Sequence, residues 1–252
     1  PMTGVFKDEF EKYSSEFPDV NYLAKTGNMK GRFKVEDGSE DMIFYSDNQK
    51  IMKQAGADRF YKVLENAEYL ISLAAMKGHD AAGISLCTKN HFGTQSRPKA
   101  LHLHPGLNVI RVNGERKLKG YGNYRVLVDL MGSKQTGGKN LFYMLDALWS
   151  GCGWNGLPEK FKMPPFNGHW TSSLFFSLDV VAIESVAFDF LRTEFSRPEY
   201  GIKYVAAEGT DDYLHQAADS KNWPEGIVYS PDGPGKRLPD SLGVHEHWNN
   251  PV

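Results

Sequence analysis

Tyr69-Leu70-Ile71-Ser72-Leu73-Ala74-Ala75 is the stretch on which the fold turns. Only Ser72 interrupts its apolarity, which suits a strand buried on both faces, as in an α/β sheet. Leu141-Phe142-Tyr143-Met144-Leu145, ending in Asp146, repeats the pattern, and Leu174-Phe175-Phe176 makes a shorter third strand. Helical spacing separates these runs. Tyr124 to Met131 places Val126, Leu127, Leu130 and Met131 on one side, and Val180 to Leu191 is the strongest helix, with Asp179 as its N-cap. Asp211 to Ala218 adds a short helix. Strands alternating with helices predict an α/β fold, three-layered, with a mostly parallel or mixed sheet, helices on both faces and long loops.

Further out the pattern weakens. Phe6, Phe10, Tyr13 and Phe17 recur at steps of three and four, one face of a short helix that Pro18 ends. Val20 to Leu23 and Met42 to Tyr45 read as short strands around a Gly- and charge-rich turn region from Lys25 to Glu40. Arg97 to Asn123 and Gly151 to Trp170 read as long excursions, and long loops often carry function. Beyond Asn222 the composition turns to Pro, Gly, Asp and Asn. The expectation is one α/β domain over residues 1–252, with 222–252 as a coil wrapping the surface.

Composition narrows the function classes. The chain has 252 residues and a formal net charge of −2, which leaves no excess of cations for a phosphate backbone, so nucleic acid is not expected as a partner. No apolar run approaches the ~20 residues of a spanning helix, so no membrane is expected either. The two cysteines, Cys87 and Cys152, are too few for a four-thiolate iron–sulfur cluster and read as two free thiols. The chain begins at Pro1 without a basic and apolar leader, so localisation stays unknown, with export open if an upstream signal has been removed.

The densest polar cluster is KGHDAAGISLCTKNHFG, Lys77 to Gly93, immediately after the first buried strand. Open α/β sheets place ligands at the carboxyl ends of their strands. A helix starting near Gly83 offers free N–H groups to an anion, with the Ser85 hydroxyl beside them, and Asn90 and His91 extend the set. The plainer reading is that His79 and Asp80 cap a turn while Lys89 is solvated. His102-Leu103-His104 is an H-x-H pair that, on an extended segment, points both imidazoles to one side as metal sites require. A third ligand then comes from His79, His91, Asp129 or Asp146. His245-Glu246-His247 has the same spacing in a Pro/Asn-rich tail. Asp146, at a strand end, is a candidate acid. Pro164 to Trp170 offers Asn167, His169 and Trp170 for stacking and hydrogen bonding to a sugar or small polar ligand, or else Phe166 and Trp170 as core plugs.

Resemblance enters on several ungapped strings: KGHDAAGISLCTKNHFG, YRVLVDLMG, GGKNLFYMLDALW, PPFNGHWTSSLFFSLD, VAIESVAFDFLR and SLGVHEHWNNP. In this order they resemble a bacterial branch of the family catalogued as domain of unknown function 362, over most of residues 42–251. Val180 departs from that pattern, where the family usually has Pro after the Asp. The resemblance implies a fragment of a longer protein and assigns it no particular activity. A second similarity is remote. His79-x-x-Ala82-Gly83-x-Ser85-x-x-x-Lys89 resembles the loop of nickel-pincer lactate racemases, in which a His lies ten residues before the Lys that carries the cofactor. A nickel-binding His lies some fifteen residues beyond that Lys, where this chain has His104. The Gly-Gly before that Lys is Leu86-Cys87 here, so the resemblance implies the arrangement and not the attached cofactor.

The resulting expectation is a pocket acting on a small anionic or hydroxylated substrate by acid/base chemistry, with metal assistance if a divalent ion is present. His79, Lys89 and Asp146 are the catalytic candidates, Ser85, Asn90, His91, Asn167 and Trp170 the ligand-binding ones, and His102 and His104 the metal ligands. The alternatives are a non-catalytic ligand- or glycan-binding module, or an interaction domain completed by an upstream segment or another subunit; oligomeric state is not legible.

Overall fold

The structure, a computed structural model, describes residues 13, 15–24, 32–42, 45, 58–201, 203–233 and 240–248. The expected helix over Phe6 to Phe17 lies mostly outside these residues. The first three described strands are short: β1 (Tyr22–Ala24), β2 (Arg32–Lys34), parallel to β1, and β3 (Asp37–Asp41). The strand expected at Met42 to Tyr45 lies partly outside the described residues; β3 pairs antiparallel with β4 (Arg59–Tyr61). Helix α1 (Lys62–Asn66) follows.

The central sheet comes next. It contains β5 (Leu70–His79) and β6 (Gly83–Ser85), the two arms of a tight hairpin. Helix α2 (Cys87–Asn90) runs on from β6 and leads into two 3-10 segments, His91–Gly93 and Pro98–Gly106. A hairpin of β7 (Val109–Val112) and β8 (Glu115–Leu118) precedes α3 (Val126–Gly132). The stretch from Arg97 to Asn123 is therefore more structured than its Gly-, Pro- and Lys-rich composition predicts. Strand β9 (Asn140–Gly151) returns parallel to β5, and β10 (Ser173–Ser177) pairs antiparallel with β9. Strand order is β10-β9-β5-β6, a mixed sheet in an α/β fold. Helices α4 (Val180–Phe195) and α5 (Asp212–Ala218) follow, with short 3-10 segments at Pro198–Tyr200, Tyr204–Ala206 and Ser220–Asn222.

The sheet's two faces differ. Ser72 of β5 is buried, and Ala74 and Met76 of β5 with Tyr143, Leu145 and Ala147 of β9 join one hydrophobic cluster with α2 to α5 that extends to Leu242. The small inner residues let helical backbone close in: Ser72 Oγ donates to the Cys87 carbonyl at 3.2 Å. On the opposite face Ile71, Leu73, Leu174 and Phe176 are exposed, the last at 61%. The helices described here pack on one face, so Tyr69 to Ala75 alternates inward and outward instead of being covered throughout. A run of apolar residues has the same composition whether one face or two are covered, and periodicity cannot separate the cases.

Helix α4 anchors the packed layer. Asp179 caps it as expected, its Oδ1 accepting from the Val181 and Ala182 amides at 2.8 and 3.0 Å, while its Oδ2 accepts from the Val244 amide at 2.8 Å and ties the carboxyl-terminal coil to the same helix. Such a cap is worth ~1 kcal/mol. Two buried acids on α4 hold other segments. Glu184 accepts from the Thr88 amide (2.6 Å) and the Tyr213 hydroxyl (2.7 Å), and Glu194 from the Met163 amide (2.8 Å) and the Tyr200 hydroxyl (2.5 Å).

Candidate functional site

The carboxyl end of β5 is where polar side chains converge. Strand residues two apart share a face, so Lys77 and His79 both project from the outward side. Ser85 pairs directly with Lys77 across the hairpin and stands beside it. The bulge that follows Ala75 and Asp146, over which β5 advances to Lys77 and β9 to Gly151, releases this end of β5 from regular pairing. Between Lys77 and His79 only glycine fits, because a Cβ at Gly78 would lie 2.1 Å from the Cys152 carbonyl oxygen. The hairpin turns at Gly83, with φ +84°.

His79 organises that turn. Its Nδ1 accepts from the Ala81 and Ala82 amides at 3.0 and 3.2 Å. The bland reading of a turn-forming histidine therefore holds for one of its nitrogens. Asp80 faces away to Arg116 at 3.0 Å, an exposed pair of little energetic weight. Helix α2 sets Lys89 opposite: its Nζ sits 3.8 Å from the centroid of the Phe92 ring, and His104 meets the same ring edge-on at 5.3 Å. The helix is held against the edge of β5 by Asn90, whose Nδ2 donates to the Leu73 carbonyl at 2.5 Å. Lys77, His79, Ser85, Lys89 and His104 are all half-buried.

This group is electrically one-sided. Among the described residues neither Lys77 nor Lys89 has a carboxylate within ion-pair distance. Burial and the neighbouring Lys77 push the Lys89 ammonium down to about 7, and burial alone lowers Lys77. Burial, then Lys89, Lys77 and His104, push His79 down to about 3. His104 is lowered by burial and by Lys89, against the hydrogen bond its Nδ1 makes to the Ala100 carbonyl at 2.8 Å.

Of the expected residues, His79, Ser85, Lys89 and His104 come together; the others stand apart. Gly83–Ser85 is a strand, so the helix expected from Gly83 starts instead at Cys87, where Glu184 occupies the Thr88 amide. Asn90 is spent on the Leu73 carbonyl. His91 is enclosed with both ring nitrogens unpartnered, and burial lowers it to about 4. Asp146 lies on the exposed face of the sheet between Ala75 and Leu174, accepting from the Leu148 amide at 2.9 Å. Asn167 donates to the Pro165 carbonyl at 3.1 Å, and Trp170 lies under Lys160 Nζ at 5.7 Å; none of these contacts reaches His79. Phe166 packs on Phe161 and Phe190, a core plug.

The H-x-H pair is not on an extended segment but within the 3-10 stretch Pro98–Gly106, so its imidazoles diverge in use. His102 Nε2 is 2.6 Å from Asp58 Oδ2, both buried. Burial raises Asp58, but hydrogen bonds from His102, Ser96 and the Arg97 amide outweigh it and hold the carboxyl low. Asp129 is committed too, accepting from the Tyr45 amide at 3.0 Å and the Tyr229 hydroxyl at 2.5 Å beside a cleft of about 310 Å³. Among the described residues no three His, Cys, Asp or Glu side chains gather as metal ligands, so the donor set does not fit the expected ion. His247 contacts Asp189 at 3.0 Å and His245 stacks on His215, tying the tail down. Both cysteines are free, as expected, and burial raises the Cys87 thiol far above its ordinary value.

Lys77 is the residue that sequence reading passed over. Its signal was local: a lysine two positions before His79 on a strand shares that residue's face.

The family model described as "Domain of unknown function (DUF362)" matches residues 25–189, a span that contains every member of this group. No curated protein and no solved structure matches the chain.

Proposed function

The chain belongs to the family of the domain of unknown function DUF362, which names no reaction, and we propose that it binds a small anionic substrate at Lys77, Ser85 and Lys89 and moves a proton on it with an adjoining imidazole. One observation carries the reading: two half-buried ammonium groups share a site with no counter-ion among the described residues. Like charges close together in a medium less polar than water repel, and an anion placed between them relieves that cost while gaining two charge-assisted hydrogen bonds. The Ser85 hydroxyl adds a neutral donor or acceptor. Position supports the reading as well, because the group stands where a parallel strand pair ends.

Calorimetric titration with inorganic phosphate and with acetate tests this. Replacing Lys77 or Lys89 by Ala should weaken phosphate binding about ten-fold or more, the scale of one lost charge-assisted contact. Undiminished binding by the double variant would remove the proposal.

A second reading, an interaction domain completed by another polypeptide, is favoured by the exposed apolar face formed by Ile71, Leu73, Leu174 and Phe176. Sedimentation of the protein alone over a range of concentrations tests it: association abolished by Leu73→Asp supports it, and a monomer throughout argues against self-association. We read residues 1–252 as one α/β domain of a longer protein, with 222–252 as a surface-wrapping coil.

A further inference from the structure

The site holds two histidines whose backbone partners are of opposite kind. Nδ1 of His79 faces two amide N–H groups, Ala81 at 3.0 Å and Ala82 at 3.2 Å, which can only donate. Nδ1 of His104 faces the Ala100 carbonyl at 2.8 Å, which can only accept. A neutral imidazole carries one N–H and one lone pair. For His79 the lone pair must sit on Nδ1 and the proton on Nε2; protonating Nδ1 would set an N–H against two amides and leave both without an acceptor, at ~1–3 kcal/mol each. For His104 the proton must sit on Nδ1, leaving the lone pair on Nε2. The Phe92 ring packs edge-on to His104 at 83°, and the two amide hydrogen bonds fix the His79 ring.

We infer that the backbone locks His79 and His104 into opposite neutral tautomers, so that the site presents an Nε2–H donor from His79 and an Nε2 lone pair from His104, and takes an anion that also carries a hydroxyl. This rests on the anion-binding reading above and deepens it. The lysines meet the anionic oxygens, His79 donates to an acceptor oxygen, and His104 accepts from the hydroxyl. In a reaction the hydroxyl O–H bond breaks toward His104, its proton forms a new bond to Nε2 and gives an imidazolium, and the electron pair stays on oxygen. The Nε2–H of His79 and the Lys89 ammonium then face that developing charge. His79 is thereby a donor and not the group that carries protons to and fro, which departs from the role its sequence position implies. The lowered pKa of His79, about 3, agrees with a ring that stays neutral.

Two variants separate the roles from folding. His79→Asn places an amide oxygen where Nδ1 was, keeping acceptors for Ala81 and Ala82 but offering nothing at the Nε2 position. His104→Asn keeps a donor for the Ala100 carbonyl and removes the Nε2 lone pair. Acetate and glycolate, which differ by one hydroxyl, are the probes. The expected pattern is glycolate bound about ten-fold more tightly than acetate, a preference abolished by His104→Asn with acetate affinity retained, while His79→Asn weakens both acids alike. Nitrogen-15 spectra of the ligand-free protein should show the proton on Nε2 of His79 and on Nδ1 of His104. Like tautomers at the two positions would overturn the inference even if anions bind, and so would equal affinity for glycolate and acetate. Correct tautomers with no binding of either acid would instead overturn the anion-binding reading, and with it the ligand assigned here.

Discussion

Lys89 shows how one residue's surroundings set its chemistry. Removed from most of its water and placed beside Lys77, its ammonium is favoured only below about 7, against 10.5 in an open chain. The sign of its effect on stability follows. Between these values the unfolded chain holds the proton and the folded chain does not, so this group's penalty is full below pH 7 and fades as pH rises toward 10.5. Lys89→Met should therefore be more stable than the parent in urea melts at pH 6, with the gap closing above neutrality. An anion that restores the charge must also bring a proton. Phosphate binding at pH 8 is thus expected to take up a proton, read from its heat in buffers of different ionisation enthalpy. His102 makes the converse case: a histidine in a metal-like spacing whose partner, Asp58, lies 44 positions upstream and claims it at 2.6 Å. Nothing local to His102 announces that partner.

At the scale of elements, α2 is too short to stand unaided and exists because α4 holds it. Its first turn is closed by the Glu184 carboxyl, whose other oxygen takes the Tyr213 hydroxyl. Burial raises this carboxyl to about 7, so its contribution to stability is full below the open-chain value of 4.5 and is lost as pH rises through 7. Glu184→Gln should flatten stability between pH 4.5 and 7. Glu184→Ala should cost ~2–5 kcal/mol, since two buried donors lose their acceptor, and should carry Lys89 out of place, seen as weaker phosphate binding. Much of the architecture was legible at this scale. The strands at Leu141 and Leu174, the helix after Asp179 and the cap itself follow from periodicity and from one carboxylate before an apolar run. The β6 strand and the helical start at Cys87 were not legible, because a three-residue strand has no period and depends on the β5 edge it pairs with.

For the whole molecule the decisive asymmetry is between the faces of the sheet. Leu145→Ala, at a fully buried inner position, should cost ~2–5 kcal/mol in denaturant unfolding, while Phe176→Ala on the open face should cost under ~1 kcal/mol. Equal losses would show that the outer face is covered in solution. Sequence alone determined the α/β class, the order of the central strands and main helices, the two free thiols and the polar segment at the end of β5. These rest on periodicity, composition and short-range capping, which act between residues close in the chain. Tertiary structure decided which polar residues share a site. It joined Lys77, His79, Ser85 and Lys89 to His104, spent His102, Asp129 and Asn90 on structural bonds, and left Asp146 on the open face. Those outcomes turn on backbone groups and counter-ions brought from elsewhere in the chain, and only packing brings them within hydrogen-bond and Coulombic range.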